Sequence, residues 1–270
     1  MTKNDSRKRG SMRRAATVCV LLLATGLATA TLAGESRDSD AMSVLETMTA
    51  YLNSTQTIRL GFDSDIEAIT PELEKIQFTS SGTATVNRPN KIHAHRVGGH
   101  ADVEMWFDGS TVSVYGRSID GYTQFELPGT LDHLIEALRA GHGVALPGAD
   151  LLLSNAYEVL SFGVLEAKHM GRAIVGGVEC EHLAFRNADT DWQLWIEVGE
   201  TPIPRKMVIT SKTLNCAPQY TLRITSWESG GDLPADAFEF DPPPDAELLR
   251  PDALIDLDEL PQGAPAGGNP

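Results

Sequence analysis

Between Ile58 and Trp227 the chain falls into strand-length segments separated by turn residues, and this rhythm constrains the fold more than any other feature. In Trp192-Gln193-Leu194-Trp195-Ile196-Glu197-Val198, one side of an extended chain carries Trp192, Leu194, Ile196 and Val198, and the other carries Gln193, Trp195 and Glu197. Period-two alternation of this kind belongs to a strand with one face in an apolar environment. Met207 and Ile209 continue an apolar face on the next segment, and Leu222 and Ile224 on the one after.

The segments predicted as strands are 58–69, 76–86, 91–97, 103–107, 111–115 and 122–127, followed by 164–175, 178–185, 192–198, 205–210 and 220–227. Asn87-Arg88-Pro89-Asn90, Asp108-Gly109 and Asp120-Gly121 punctuate the first set, and the two Asp-Gly pairs suit hairpin turns. Val44, Leu45, Met48, Tyr51 and Leu52 instead recur at helical spacing, which predicts an amphipathic helix over 41–54. Leu131, Leu134, Ile135 and Leu138 predict a second helix, ended by Gly141 and Gly143, and a short third helix falls near 155–160. Ten or eleven strands in hairpin order with a helical insert argue for a mainly β fold. The expected form is a curved antiparallel sheet, an incomplete β-barrel, with two or three helices over its concave face. The apolar positions on that face are Met105, Phe107, Leu134, Leu138, Trp192, Leu194, Ile196, Met207, Ile209, Leu222 and Ile224. Alternation does not distinguish a lined cavity from a filled core at these positions.

The N-terminus reads as an export signal over residues 1–33. Lys3, Arg7, Lys8, Arg9, Arg13 and Arg14 precede an apolar run from Ala15 to Leu27, and small residues follow as Ala28-Thr29-Ala30 and Thr31-Leu32-Ala33. That run is short of the ~20 residues a membrane span needs, and Cys19 lies inside it with no lipid-attachment context. A cleaved, periplasmic, non-integral protein is expected, with one domain over 34–249. Removal of residues 1–33, with six basic residues and one acidic, leaves 16 basic against 36 acidic residues, a net charge of −20. Such a surface repels phosphate backbones, so nucleic acid is excluded as a partner class. Residues 250–270, acidic and rich in Pro and Gly, read as a disordered tail.

No catalytic constellation emerges from the residues, and no cofactor is implied. There is no nucleophile elbow or phosphate loop, and Gly171–Gly177 reads as a turn between strands. His93 and His95 project to one strand face with His100 and Asp102 nearby, a set that would serve zinc only with a further ligand; the alternative is solvated histidines on an edge strand. Cys180 and His182 read as a buried structural pair. If the last strands form a meander, Cys180 and Cys216 lie several strands apart, beyond the ~7 Å that a disulfide spans, and both thiols are expected unbridged.

The run Gly176-Gly177-Val178-Glu179-Cys180-Glu181-His182-Leu183-Ala184-Phe185-Arg186, with Asp191–Glu197 and Pro202–Thr210, resembles a bacterial family of predicted periplasmic proteins of unknown function. Met105–Gly109 and Pro147–Leu152 fit the same pattern, and the resemblance covers roughly residues 41–245. It implies a fold similar to the lipoprotein carriers LolA and LolB and the regulator RseB, an incomplete barrel with a helical cap. On that resemblance the expected function is non-enzymatic: a monomeric binding or carrier protein holding a lipid acyl chain or lipoprotein. The alternatives are an envelope regulatory or assembly protein that senses a protein partner, and a metal-dependent hydrolase centred on His93, His95 and His100.

Overall fold

The computed structural model describes residues 36–250, apart from Gly143 and Ala145. The chain divides into two units, Met1–Gly34 and Glu35–Pro270, and the described residues lie in the second. The expected export signal lies outside them, as does the expected tail from residue 251 onward.

Two antiparallel meanders make up the sheet. The first comprises β2 (Thr57–Ile69), β3 (Lys75–Asn87), β4 (Lys91–Gly98), β5 (Asp102–Phe107), β6 (Thr111–Gly116) and β7 (Gly121–Glu126). The second comprises β8 (Glu166–Val175), β9 (Val178–Arg186), β10 (Thr190–Glu197), β11 (Pro204–Ser211) and β12 (Gln219–Ser229). The last strand of the second meander pairs with the first of the other, Leu222 opposite Ser64 and Trp227 opposite Leu60. This join places β7 and β8 at the two outer sides of one 13-stranded sheet. Two-residue strands flank those sides in parallel, β1 (Ser36–Arg37) on β8 and β13 (Glu247–Leu248) on β7. The outer strands therefore pair with these short strands and not with each other, and the barrel is incomplete.

The chain must travel from β7 to β8, from one side of the sheet to the other, and it does so through helix. That segment holds α2 (Leu131–His142), a 3-10 turn at Ala149–Leu152 and α3 (Ala156–Ser161), while α1 (Ser39–Ser54) precedes β2. Gly141, expected to end α2, lies inside it, because the helix continues to His142. Asp38 caps α1 by accepting from the Asp40 amide at 2.9 Å, and its other carboxylate oxygen accepts from the His169 amide of β8 at 3.2 Å. These two backbone bonds hold the Asp38 carboxyl below the usual range and fasten the helix to the sheet.

Leu45, Met48 and Leu52 of α1 pack with Leu183, Phe185, Leu194, Ile196 and Met207 in one buried cluster. Leu131, Leu134 and Leu138 of α2 pack with Ile58, Val86, Phe107 and Val112 in a second. The helices therefore bind the face that alternation marks as apolar. Trp227 touches both clusters where the meanders meet.

The opposite, convex face is partly covered by residues 230–249. Phe240 stands against Trp106 at 4.8 Å, Tyr122 at 5.5 Å and Tyr115 at 6.3 Å between ring centres, and Phe238 is buried beside Lys91. The strap ends where the Glu247 and Leu249 amides donate to the carbonyls of Asp120 and Tyr122.

Candidate functional site

The helix-side face of the sheet is fully buried at one end and half-buried at the other. Register sets its rows: Ile58, Val86, Ile92, Phe107 and Val112 stand opposite one another across β2 to β6, and all are buried. In the next row Leu60, Ala84, Ala94 and Met105 are half-buried and Val114 is buried, and Phe62 and Val103 one row further on are half-buried. On β12 the half-buried helix-side residues are Leu222 and Ile224, aligned with Ser64 and Phe62. Leu60, Ala94, Val103 and Met105 pack at the margin of the second cluster and Leu222 at the margin of the first, where Gly148 of the helical insert comes close to Leu222. An apolar concave surface only half withdrawn from water is a candidate ligand-binding face.

The expected lining residues divide along the same line. Phe107, Leu134 and Leu138 are buried beneath α2, and Trp192, Leu194, Ile196 and Met207 beneath α1. Met105, Ile209 and Leu222 are half-buried against these clusters, and Ile224 is half-buried outside both. Alternation marks the strand positions of this set, and helical spacing Leu134 and Leu138, but neither carries information on how far along the face the helices extend.

Three polar residues on this face escape a reading for apolar alternation. Tyr220 pairs across the ladder with Ile66 and Ile209. Burial pushes its phenol up to about 12, against smaller opposing effects from a hydrogen bond with Ser64 and the positive charge of Arg96. Arg96 follows Ile92 and Ala94 on the helix side of β4, while Val97 points away and is 43% exposed. This inversion, a charge inward and a valine outward, is the signal in the sequence that marks the position. In the same region Gly82 is opposite Phe62, and a Cβ there would lie 2.5 Å from the ring and 2.4 Å from the His95 carbonyl oxygen. The Phe62 ring thus rests on bare backbone. At the boundary with the packed clusters, the Trp227 indole nitrogen is buried without a hydrogen-bond partner among the described residues.

The histidines lie on the other face and are not solvated side chains of an edge strand, since β4 is internal to the sheet. His93 Nε2 is 2.8 Å from Glu104 and stacks on Trp106; His95 Nε2 is 2.8 Å from Asp102. His100 stands apart, edge-on to Phe78. Among the described residues, no group of three or more His, Cys, Asp and Glu side chains is placed to hold a metal ion. Arg117 bonds Glu104, which makes this region an ion-pair network of the sheet surface. Cys180 and His182 do not form a buried pair: Cys180 is buried and its thiol pushed up by burial, whereas His182 is half-buried, stacked on Trp195 and bonded to Gln193 at 3.0 Å. Cys180 and the exposed Cys216 are both free thiols. Gly171 sits at a bulge within β8, so the turn expected over 171–177 contracts to Gly176-Gly177.

A family match spans residues 41–250, from α1 to the end of the strap. The chain belongs to the predicted periplasmic protein family DUF2092. No curated protein matches this family member in sequence. Among solved structures it is similar to an uncharacterised conserved protein of Thermus thermophilus, at 10% identity and a TM-score of 0.45 over 78% of this chain and 99% of that one. It is also similar to MucB in the MucA/MucB complex of Pseudomonas aeruginosa, at 14% identity and a TM-score of 0.44 over 75% of this chain and 62% of that one. A third is the lipoprotein LppX of Mycobacterium tuberculosis, at 10% identity and a TM-score of 0.38 over 72% of this chain and 98% of that one. No helix among the described residues is long and apolar enough to cross a membrane.

Proposed function

We propose that this family member is a non-catalytic periplasmic binding protein, exported by cleavage of residues 1–33, that holds a lipid acyl chain against the open half of its concave face. The observation that carries this reading is the half-buried apolar row of Leu60, Ala94 and Met105 with Phe62, Leu222 and Ile224 beside it. Each CH₂ of a bound chain withdrawn from water contributes about 0.8 kcal/mol, so a chain of ordinary length gains enough to offset the cost of immobilisation. The half-buried Trp227, which touches both clusters, lies at the inner limit of the face and serves as its reporter. Titration with a brominated stearate should quench tryptophan fluorescence saturably, and Trp227→Phe should remove most of the quenching. Absence of saturable quenching in the unaltered protein would contradict acyl binding.

A second reading, a protein partner, is favoured by the outer side of β8. Beyond His169, whose amide donates to Asp38, Met170 and Ile174 are exposed on a strand whose outer side has no strand partner among the described residues. Ile174→Asp should abolish such a complex in a pull-down from periplasm and leave the quenching titration unaltered; a partner retained by the variant would contradict this second reading.

A further inference from the structure

The strap leaves the sheet at a defined point and in a defined direction. The amides of Glu247 and Leu249 donate to β7, and the next donor in that series falls on Pro251, which has no amide hydrogen. Pairing with β7 therefore cannot continue in that register. The ten ladders from β8 to β7 are all antiparallel, so β7 and β8 run in the same direction, and β13, parallel to β7, shares it. The chain thus leaves β13 already parallel to β8, the strand on the other side of the incomplete barrel. Shortly after comes Leu254-Ile255-Asp256-Leu257-Asp258-Glu259-Leu260, four aliphatic residues among three acids, with no cation. Extended, it carries Leu254, Asp256, Asp258 and Leu260 on one face. A run from Pro251 to Asp258 covers up to ~25 Å, about five strand spacings.

The outer side of β8 has the complementary pattern. β1 pairs with it only at Glu166 and Ala167, and from Met170 to Val175 it has no strand partner among the described residues. Its exposed side chains are Lys168, Met170, Arg172 and Ile174, cations alternating with large apolar residues. Lys168 lies 3.1 Å from Glu166, and Arg172 lies 3.1 Å from Glu179 and 3.3 Å from Glu181. Both cations are more than half exposed, and such pairs exchange partners at little cost. Past Tyr122, β7 exposes Gln124 and Glu126 instead, which offer an acidic segment nothing. We propose that residues 254–260 add to β8 of the same molecule as a parallel strand in line with β1. In the register that sets Asp258 beside Arg172, Leu260 falls beside Ile174, and Asp256 falls between Lys168 and Arg172. Main-chain bonds supply the affinity, and the tether supplies a high effective concentration. This inference rests on the reading of β8 as a pairing edge and names its occupant when no partner is bound; a partner that adds there must displace the segment.

The test is hydrogen exchange read by mass spectrometry on the purified full chain and on its Asp258→Lys/Leu260→Asp variant. Both substitutions lie outside the packed clusters, so the unfolding midpoint should not move. Amides over residues 170–175 should exchange about tenfold or more faster in the variant, while those of β9 and β10 stay unchanged. Equal exchange over 170–175 in the two proteins would overturn the inference. Protection that disappears on dilution would overturn it as well, since the segment would then come from a second molecule. Partner capture in the pull-down together with equal exchange would leave the second reading standing and remove this one. Protection that depends on the segment, with no partner captured, would support this inference and count against the partner alone.

Discussion

Gly82 and Asp65 show how single positions set the two faces of the sheet. A side chain at Gly82 would displace either the Phe62 ring or the β4 backbone at His95. Gly82→Val should therefore cost about 1–3 kcal/mol, read as a lowered midpoint in thermal or denaturant unfolding. On the convex face, burial alone would raise Asp65, but bonds from Arg223 at 2.6 Å and Thr79 at 2.7 Å outweigh it and hold the carboxyl below its ordinary 3.8. A carboxyl lowered in the folded state contributes stability above pH 3.8 that is lost as the pH falls through the folded value. Asp65→Asn should destabilise the protein at pH 7 by about 1–3 kcal/mol, and the difference should shrink below the ordinary carboxylate range. Unfolding curves at pH 7 and pH 3 check the sign; a difference that grows in acid would contradict it. Arg96 is the residue-scale lesson in legibility. Its strand is plain in the sequence, but a reading that follows apolar positions passes over a charge in an inward register.

At the scale of elements, the long strands were legible because their alternation and their turns agree. Asp108, for example, accepts from the amides of both Ser110 and Thr111 at 2.8 Å, which closes the β5–β6 turn that Asp108-Gly109 predicts. The short strands were not legible. β1 and β13 owe their existence to β8 and β7, more than a hundred residues away, and two residues carry no period. The strap was hidden for a different reason: Asp241-Pro242-Pro243-Pro244-Asp245 is loop composition, and its anchors are two isolated aromatics. Phe240 bridges Trp106, Tyr115 and Tyr122, so Phe240→Ala should cost about 1–3 kcal/mol, less than a fully buried phenylalanine. It should also red-shift the emission of Trp106, which the corresponding change at exposed Phe162 should leave alone.

For the molecule as a whole, topology and function share one origin. Pairing β12 with β2 places β7 and β8 at opposite sides of the sheet, and the chain can connect them only by crossing the concave face as helix. The helices pack the first rows of that face and leave the following rows apolar and half-buried. Among the ladder-paired positions of this face from β10 to β7, Arg96 is the charged residue of those described. How far the helices cover the face depends on loop lengths and helix placement, and this is why the site was less legible than the fold. The account makes one central claim, that the open rows accept an acyl chain. Native mass spectrometry of the protein exported to and purified from periplasm tests it most directly. The account predicts a population carrying an acyl-lipid mass that is lost on denaturation and regained on incubation with added acyl lipids. A single ligand-free mass, unchanged after incubation with such lipids, would contradict it.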